Sequence, residues 1–437
     1  MTKILLSICI LIMSFGAMAQ NHTRILCGNE LLPNLMEQKY PGYKDAVKAS
    51  FERAKHVKEL RSGAPDTSIY TINVVFHVVW NDSTENLDDS VIFSQMQVLN
   101  EDYRRNNPDR VNTISYFDSV AGDARIQFAI HAIRRVQTSA TFSFGLGGLP
   151  DSLVKQTANG GDDAVDPEHF LNIWIVNIQA SFFGQLLGYS YPPDSLNNWP
   201  AGSIAPYRAW DGVVIDYRCI GRNNPNALNF SGQTLVIRGR TPTHEIGHYL
   251  GLRHIWGDGA TFGTNDCMQS DGIDDTPFAN TQSSFDCDTT RNTCTQVETY
   301  YNADAPDMVQ DYMDYSSETC MNLFTKGQVA LMRGSLTDQR QGLISGYSAG
   351  LATVKTEANV SIYPNPNTGV VYVPFSENRN PFSSIEVYNM LGENIGASAI
   401  ETAGAIKIDL SNQPNGIYTL DVVKQGQHYA KRAVLSK

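Results

Sequence analysis

The stretch of sequence that decides the fold is His244-Glu245-Ile246-Gly247-His248-Tyr249-Leu250-Gly251-Leu252-Arg253-His254. On a helix, His244 and His248 lie on one face, so both imidazoles can reach one metal ion. Glu245 follows the first ligand and can contact a metal-bound water. Gly251 lets the helix end in a backbone conformation that other residues resist, and His254 then approaches the metal after the turn. Three neutral nitrogens plus a water are typical of a catalytic zinc site.

The residue types in this motif indicate a hydrolytic mechanism. Zinc lowers the pKa of its water and polarises a carbonyl group. Glu245 can take the proton of the attacking water and deliver it to the leaving amine. The oxyanion that forms needs the zinc and a nearby hydrogen-bond donor. The motif therefore predicts an enzyme that hydrolyses peptide bonds in protein or peptide substrates.

The composition places limits on the class of protein. Of its residues, 42% are hydrophobic and 18% are charged, which is typical of a globular protein. The length of 437 residues is too great for one ordinary domain. The formal net charge of -12 argues against a general nucleic-acid binder, because phosphate binding needs a basic surface.

The N-terminus has the pattern of an export signal. Lys3 precedes an apolar run over Ile4 to Phe15, and Ala17-Met18-Ala19 is a small-residue cleavage signal. The apolar run is too short to span a bilayer comfortably, and no later stretch is long and apolar enough for a transmembrane helix. We therefore expect a protein exported through the periplasm and either secreted or attached to the cell surface.

Regular elements are predicted ahead of the histidine motif. Residues 72–80 are β-branched and apolar, which predicts a strand. Further strands are predicted over 126–133, 173–178 and 212–217. An amphipathic helix is predicted where Ile92, Met96, Leu99 and Tyr103 share one face. Alternation of helix and strand indicates an α/β sheet domain.

The pattern changes after the motif. Residues 257–311 are rich in Asp, Asn, Thr, Gly and Cys, which predicts an irregular segment held by crosslinks, and a helix is expected to resume near Thr325. Beyond about residue 349, short strands over 385–388 and 417–422 alternate with Pro/Asn/Gly turns. Roughly eighty residues of this kind predict a small antiparallel β-sandwich.

The histidine motif resembles that of the metzincin clan of metallopeptidases. A methionine-containing turn is the second feature of the clan, and Gln310-Asp311-Tyr312-Met313-Asp314-Tyr315-Ser316 is similar to it. The resemblance implies that Met313 forms a hydrophobic base beneath the metal and that Tyr315 offers its hydroxyl to the metal or the oxyanion.

Within the clan, residues 70 to 345 are most similar to the pappalysin family. The stretches 74–79, 97–105 and 211–214 carry this likeness together with the histidine motif and the methionine turn. The family fold is α+β or α/β, with a twisted mixed sheet, an active-site helix and an irregular C-terminal subdomain.

The pappalysin resemblance also implies crosslinks and a second metal. Four cysteines crowd into one segment of an exported chain, which suggests two disulfides, and sequence alone allows three pairings. The resemblance implies Cys267 with Cys294 and Cys287 with Cys320. The stretch 271–277 is similar to a calcium-binding segment of the family, with Asp271 and Thr276 as the expected side-chain ligands. A solvated acidic turn is the alternative.

Two cysteines lie outside that cluster, apart from Cys9 in the signal. Arg24-Ile25-Leu26-Cys27-Gly28 is similar to the cysteine-switch motif of related proenzymes, which implies that Cys27 binds the zinc and keeps the proenzyme latent. An unpaired thiol in a disordered leader is the alternative. Activation would then follow a cut such as Arg61-Ser62. Cys219 is expected to be a buried small hydrophobe.

One residue departs from the pattern of arginine-preferring relatives. These carry an acidic residue at the floor of the specificity pocket, just after the last of the clustered cysteines, and Met321 stands there in this chain. An apolar floor does not compensate the desolvation of a guanidinium. We therefore expect no strong arginine preference.

The C-terminal region is similar to sorting domains of the type IX secretion system, which implies the secretion machinery as a partner. Residues 362–366, 416–418 and 431–432 carry this likeness, and any small adhesion-like β-sandwich is the alternative. The predicted organisation is a signal peptide (1–19), a propeptide with a cysteine switch (20–61), a metzincin catalytic domain (62–348), a linker (349–357) and the C-terminal sorting domain (358–437).

Two other functions are compatible with parts of the sequence. In another class of zinc hydrolase a downstream carboxylate replaces the third histidine, but His254 at its offset argues against this class. A surface binding protein with a degenerate peptidase domain is the second alternative. The intact Glu245 and Tyr315 argue against it.

Overall fold

The structure is a computed structural model that divides into two compact units, residues 1–346 and 347–437. The described residues are 25–60, 67–144, 149–181, 184–203, 209–230, 233–257, 267–344, 360–375, 381–389, 394–402, 404–424 and 427–437. The predicted signal peptide, the Arg61-Ser62 bond and the predicted linker therefore lie outside the described residues. Within the described part, no helix has both the length and the apolarity that crossing a bilayer requires.

The strands of the first unit are β1 (Ile25–Cys27), β2 (Tyr70–Trp80), β3 (Ile126–Gln137), β4 (Phe142–Ser143), β5 (Leu171–Val176), β6 (Ile178–Gln179), β7 (Gln185–Ser190), β8 (Val213–Asp216), β9 (Leu228–Phe230), β10 (Gln233–Leu235), β11 (Val297–Glu298) and β12 (Ala303–Asp304). Its helices are α1 (Leu32–Lys39), α2 (Tyr43–Leu60), α3 (Asp89–Asp102), α4 (Ser115–Asp118), α5 (Asp151–Val154), α6 (Arg240–Tyr249) and α7 (Lys326–Asp338). Short 3-10 turns cover Gly28–Glu30, Pro108–Asn112, Thr157–Asn159, Tyr217–Cys219 and Gln341–Leu343.

The central sheet has six strands in the order β1-β7-β8-β5-β2-β3. All neighbours are parallel except β7 and β8, so the sheet is mixed and mostly parallel. Alternate residues of one strand belong to different hydrophobic clusters: Ile173 and Ile175 to one, Trp174 and Val176 to the other. Both faces of the sheet are therefore covered, as in other parallel sheets.

Two helices on one face of the sheet position the histidine motif. Helix α3 packs against β3, helix α6 packs against β7 and β8, and the two helices contact each other. The predicted helix face is buried, with Ile92, Met96, Leu99 and Tyr103 in the core. The strands predicted over 72–80, 126–133, 173–178 and 212–217 correspond to β2, β3, β5 with β6, and β8. These predictions are confirmed.

The segment after the motif is irregular, as predicted. Among its described residues, 267–311, the regular elements are the two-residue strands β11 and β12. Disulfides join Cys267 to Cys294 and Cys287 to Cys320, which is the pairing that the family resemblance implies. Helix α7 then begins after Thr325, whose side chain accepts a hydrogen bond from the Gln328 backbone and completes a capping box.

The second unit contains the strands β13 (Val370–Pro374), β14 (Phe382–Tyr388), β15 (Ser398–Thr402), β16 (Ala405–Asp409), β17 (Gly416–Lys424) and β18 (Gln427–Leu435). They form two antiparallel sheets, β13-β16-β15 and β14-β17-β18. Alternating residues of β13 and β17, such as Val371, Val373, Leu420 and Val422, are buried in one core. The predicted strands over 385–388 and 417–422 lie in β14 and β17.

A buried ion pair joins the end of α7 to the end of the active-site helix. Arg340 contacts Asp211 through two hydrogen bonds of 2.5 and 3.0 Å, and both side chains are about 5% exposed. The guanidinium also donates to the backbone carbonyls of Tyr249 and Tyr191. It therefore ties α6, α7 and the chain after β7 together.

We expect Arg340→Met to lower the free energy of unfolding by about 3–5 kcal/mol, because Asp211 would be left buried without its partner. Urea unfolding of the purified protein measures the effect. Arg222→Met is the matched control: Arg222 pairs with Glu101 and its side chain is 36% exposed, so its loss should change stability by less than about 1 kcal/mol. Equal effects of the two substitutions would contradict this reading.

Candidate metal centre and active site

Three histidines meet at the end of helix α6. The Nε2 atoms of His244 and His248 are 3.0 Å apart, and those of His248 and His254 are 3.1 Å apart. All three side chains are buried. Together with Cys27, they form a group whose ligand atoms all lie within 4.8 Å of one another.

Backbone carbonyls determine the tautomers of the first two rings. His244 donates through Nδ1 to the carbonyl of Tyr312 at 2.7 Å, and His248 donates through Nδ1 to the carbonyl of Leu252 at 2.8 Å. A carbonyl oxygen only accepts, so the proton of each neutral ring is on Nδ1. The Nε2 atoms therefore carry lone pairs, and hydrogen bonds of this kind are usual in metal-binding histidines.

This arrangement fits a zinc ion. Two unprotonated nitrogens at 3.0 Å cannot hydrogen-bond to each other, so their approach requires a cation between them. Nitrogens around a tetrahedral zinc, each about 2.0–2.1 Å from the metal, lie about 3.3 Å apart, close to the separations in this structure. Burial lowers the pKa of His244 to about 4 and holds the pKa of His248 and of His254 well below its usual range. All three rings are therefore neutral at physiological pH.

Two glycines allow the chain to follow this path. Gly251 has a φ of +97°, the left-handed conformation predicted at the end of the helix. A Cβ on Gly247 would lie 2.5 Å from the sulfur of Met313. The methionine turn therefore packs directly against the active-site helix, and Met313 is completely buried beneath it.

Glu245 and Tyr315 lie beside the histidines. Burial raises the pKa of Glu245 to about 8, and its Oε2 atom is buried without a hydrogen-bond partner. The Tyr315 hydroxyl accepts a hydrogen bond from the Cys27 backbone at 3.0 Å, and the Tyr315 ring lies 5.2 Å from that of His254. A cation bound by the histidines would lower the pKa of Glu245, because an adjacent positive charge favours the carboxylate.

Cys27 is held in this site by the sheet. It ends β1, which pairs in parallel with β7 along the edge nearest to the histidines. Asn29 fastens the segment through two hydrogen bonds, one from its side chain to the Ser190 carbonyl and one from the Ser190 amide. Burial raises the pKa of the Cys27 thiol, and the neighbouring Glu245 raises it further.

The residues predicted for calcium lie apart from the histidines. Asp271 and Thr276 are buried in the irregular segment, and the Oδ2 atom of Asp271 and the Oγ1 atom of Thr276 have no hydrogen-bond partner. The Oδ2 atom of Asp311 is also buried without a hydrogen-bond partner. Burial raises the pKa of Asp271 well above its usual range, and the charge of Asp311 raises it further.

Three supporting residues were not predicted from the sequence. Trp256 stacks on His254 with ring centroids 4.6 Å apart and planes within 3°. Asp102 accepts hydrogen bonds from the Tyr312 hydroxyl at 2.7 Å and from the Thr243 hydroxyl at 2.9 Å. Glu318 accepts from backbone amides at the start of α6.

The sequence contained a signal for only two of these. Trp256 follows His254 by two residues, and Asp102 lies within one of the stretches that carry the family resemblance. Nothing in the local sequence relates Glu318 to the helix that it caps.

Two family models match the chain. The model described as pregnancy-associated plasma protein-A, a peptidase family, matches residues 220–337. The model described as a secretion system C-terminal sorting domain matches residues 361–436. The first match contains the histidine motif and the methionine turn, and the second covers the strands of the second unit.

Solved structures and curated proteins agree with these matches. A promirolysin variant of Tannerella forsythia is 35% identical, with a TM-score of 0.56, and the match covers 72% of this chain and 95% of that one. Mature mirolysin in complex with a cleaved peptide is 38% identical, with a TM-score of 0.51 and coverages of 64% and 97%. An extracellular metalloprotease of Uncinocarpus reesii is 29% identical over 74% of this chain and 94% of its own length.

These similarities confirm the predicted enzyme class and location. The protein is a secreted or surface-attached metalloendopeptidase of the zinc-dependent type, and its mixed α/β fold resembles that of mirolysin. The alternative of a binding protein with a degenerate peptidase domain is not favoured. The chain belongs to the pappalysin family of metallopeptidases, the family whose model is described as pregnancy-associated plasma protein-A.

Proposed function

We propose that His244, His248 and His254 hold one catalytic zinc ion through their Nε2 atoms and that Glu245 is the general base of peptide-bond hydrolysis. The observation that carries this assignment is the convergence of three buried, neutral imidazoles. Zinc, when bound, supplies a Lewis acid that activates water and polarises the scissile carbonyl.

Glu245 transfers the protons in the proposed reaction. Its carboxylate takes the proton of the attacking water and then delivers it to the leaving amine. The position of Glu245 supports this role, since the carboxyl group is buried and lines the cavity next to His244. Its unpartnered Oε2 atom leaves one acceptor site for the water.

Tyr315 is the proposed hydrogen-bond donor to the oxyanion. Its hydroxyl is within reach of the site and accepts from the Cys27 backbone in the proenzyme. Departure of the propeptide frees this hydroxyl to point at the substrate. Met313 beneath the metal serves as packing, since its sulfur contacts the helix backbone at Gly247.

Cys27 is the proposed latency residue. Its sulfur lies within 4.8 Å of the three histidine nitrogens, close enough to join one metal ion. A thiolate in that position excludes the hydrolytic water. The contacts of Asn29 with β7 and of the Cys27 backbone with Tyr315 hold the thiol there.

We also propose a structural calcium ion bound by Asp271 and Thr276. The support is the buried and unpartnered oxygens of Asp271, Thr276 and Asp311. Burying a carboxylate without a partner is costly, and hard oxygen ligands in an irregular loop suit calcium.

The proposed domain organisation keeps the predicted boundaries. Residues 1–19 are the signal peptide, 20–61 the propeptide, 62–348 the metzincin catalytic domain, 349–357 the linker and 358–437 a β-sandwich sorting domain that engages the secretion machinery. The two antiparallel sheets of the second unit and the match over residues 361–436 support the sandwich and its role.

Glu245→Ala should lower kcat/KM on casein by about 100- to 10,000-fold, because the proton transfers lose their carboxylate. The variant should keep one zinc per chain by elemental analysis, since the three imidazoles remain. His254→Ala is the comparison and should lose zinc as well as activity. Full activity of Glu245→Ala, or wild-type activity that survives removal of zinc by a chelator, would rule out this mechanism.

Cys27→Ser should raise the activity of the uncleaved proenzyme at least several-fold, because a hydroxyl is a weaker zinc ligand than a thiolate. Mass spectrometry establishes that the assayed chain is intact. Cys219→Ser is the matched control, since Cys219 is buried and free but does not belong to the group of metal-ligand atoms. Unchanged latency of Cys27→Ser would contradict the proposed role of the thiol.

Calcium should raise the unfolding temperature of the zinc-loaded protein, by an amount equivalent to about 3 kcal/mol when its concentration is 100 times the dissociation constant. Asp271→Asn should abolish this shift. Asp274→Asn, with a side chain 82% exposed in the same loop, should preserve it. The absence of any shift with the wild-type protein would refute the site.

A further inference from the structure

A cavity of about 200 Å³ opens beside the proposed catalytic residues. His244 and Glu245 contribute to one wall, and the residues after Met313 contribute to another. The apolar lining residues include Leu187, Leu235, Val236, Ile237, Phe285 and Met321. Its volume accommodates one substrate side chain, so the polar groups of the lining decide which kind.

Glu318 is a lining carboxylate that could pair with a basic side chain, but its acceptor sites are filled. One oxygen accepts from the backbone amides of Arg238 and Arg240, and the other accepts from the amide and the hydroxyl of Thr241. A carboxylate has about four acceptor positions, so these four donors use them all. Glu318 therefore acts as the N-terminal cap of α6, where the helix dipole further offsets its charge.

Two further charged lining residues, Arg240 and Asp314, contact other parts of the protein. Arg240 makes two hydrogen bonds with Asp109, of 2.6 and 2.8 Å, and donates to the Glu318 carbonyl. Asp314 is completely buried and accepts from the Ser283 amide, and its second oxygen is shielded from solvent although it has no partner. Apart from Glu245, which the proposed mechanism uses, and Asp314, whose unpartnered oxygen is shielded from solvent, the charged side chains of the lining are engaged with protein partners among the described residues.

The side chain that enters this cavity belongs to the residue after the scissile bond. Glu245 delivers a proton to the leaving amine in the proposed mechanism, so that amine lies next to Glu245. The cavity wall includes Glu245. The residue whose backbone begins at the leaving amine therefore directs its side chain into the cavity.

We propose that this cavity selects an uncharged apolar side chain, branched aliphatic or aromatic, immediately after the scissile bond, with Met321 as the specificity-determining residue. This inference rests on the proposed function of Glu245. An apolar side chain buries its surface against the cavity wall, whereas a guanidinium or ammonium loses its hydration without gaining an acceptor.

Cleavage of a peptide library by the mature enzyme tests the proposal, with both residues flanking the cut randomised. We expect kcat/KM to be about 10- to 100-fold higher for Leu, Met or Phe than for Ala after the cut, the gain expected from burying such a side chain. Arg and Lys in that position should rank below Ala. A preference for Arg or Lys would overturn the proposal and would indicate that Asp314 pairs with the basic side chain of the substrate. A selectivity of less than about threefold would overturn it as well.

Two variants assign the selectivity to Met321. Met321→Asp introduces an acceptor without a partner and should raise the ratio of kcat/KM for Arg to that for Leu by at least about tenfold. Met321→Leu keeps the volume and polarity and should keep the apolar preference. If Met321→Asp leaves the ratio unchanged, Met321 does not determine specificity.

A binding measurement separates this inference from the catalytic mechanism. Calorimetry with the mature Glu245→Ala variant uses product-like peptides that begin with Leu, Ala or Arg, and it requires no turnover. Tighter binding of the Leu peptide supports the cavity chemistry even if the role of Glu245 were wrong. Tighter binding of the Arg peptide overturns it, whatever the activity of the wild-type enzyme.

Discussion

The hydrogen bonds that His244 and His248 donate to backbone carbonyls are the constraint on which the rest of the site depends. They put the protons on Nδ1 and leave the Nε2 lone pairs facing one another at 3.0 Å. Such an approach is unfavourable without a cation, so the fold holds the ligands in place for the metal.

Several distant segments supply that support. The Tyr312 carbonyl that orients His244 belongs to a residue whose hydroxyl donates to Asp102, and Asp102 also accepts from Thr243 on the active-site helix. A single buried carboxylate on α3 thus connects the helix to the methionine turn. Burial raises the pKa of Asp102 to about 6 although Arg240 lies 3.5 Å away and opposes this shift.

The segment proposed as the propeptide packs on the same framework. Its strand β1 extends the edge of the sheet that lies beside the histidines, so Cys27 reaches the metal group as a consequence of strand pairing. The backbone amide of Cys27 also donates a hydrogen bond to the hydroxyl of Tyr315. Helix α2 packs against α7, and Arg53 pairs with Asp338 there, so the proposed propeptide also contacts a helix outside the histidine motif. The proposed latency would therefore depend on an extended interface as well as on one thiol.

The sequence by itself determined the local features of this protein. The spacing of His244, His248 and His254 with Gly251 predicts a helix, a left-handed turn and a metal site, because each depends on residues close in the chain. The strands and the helix face around Ile92 followed from periodicity for the same reason. The roles of Met313 and Tyr315 and the pairing of the cysteines were predicted from the family resemblance, because no local sequence rule predicts them.

Only the tertiary structure decided which distant groups meet. Glu318 caps a helix that begins 78 residues earlier at Arg240, and Asp102 reaches Tyr312 across 210 residues of chain. Hydrogen-bond donors from other segments also decide whether a carboxylate in the cavity beside His244 and Glu245 can still accept a hydrogen bond. These contacts arise from packing, which juxtaposes residues without regard to their separation in sequence, and so no local pattern records them.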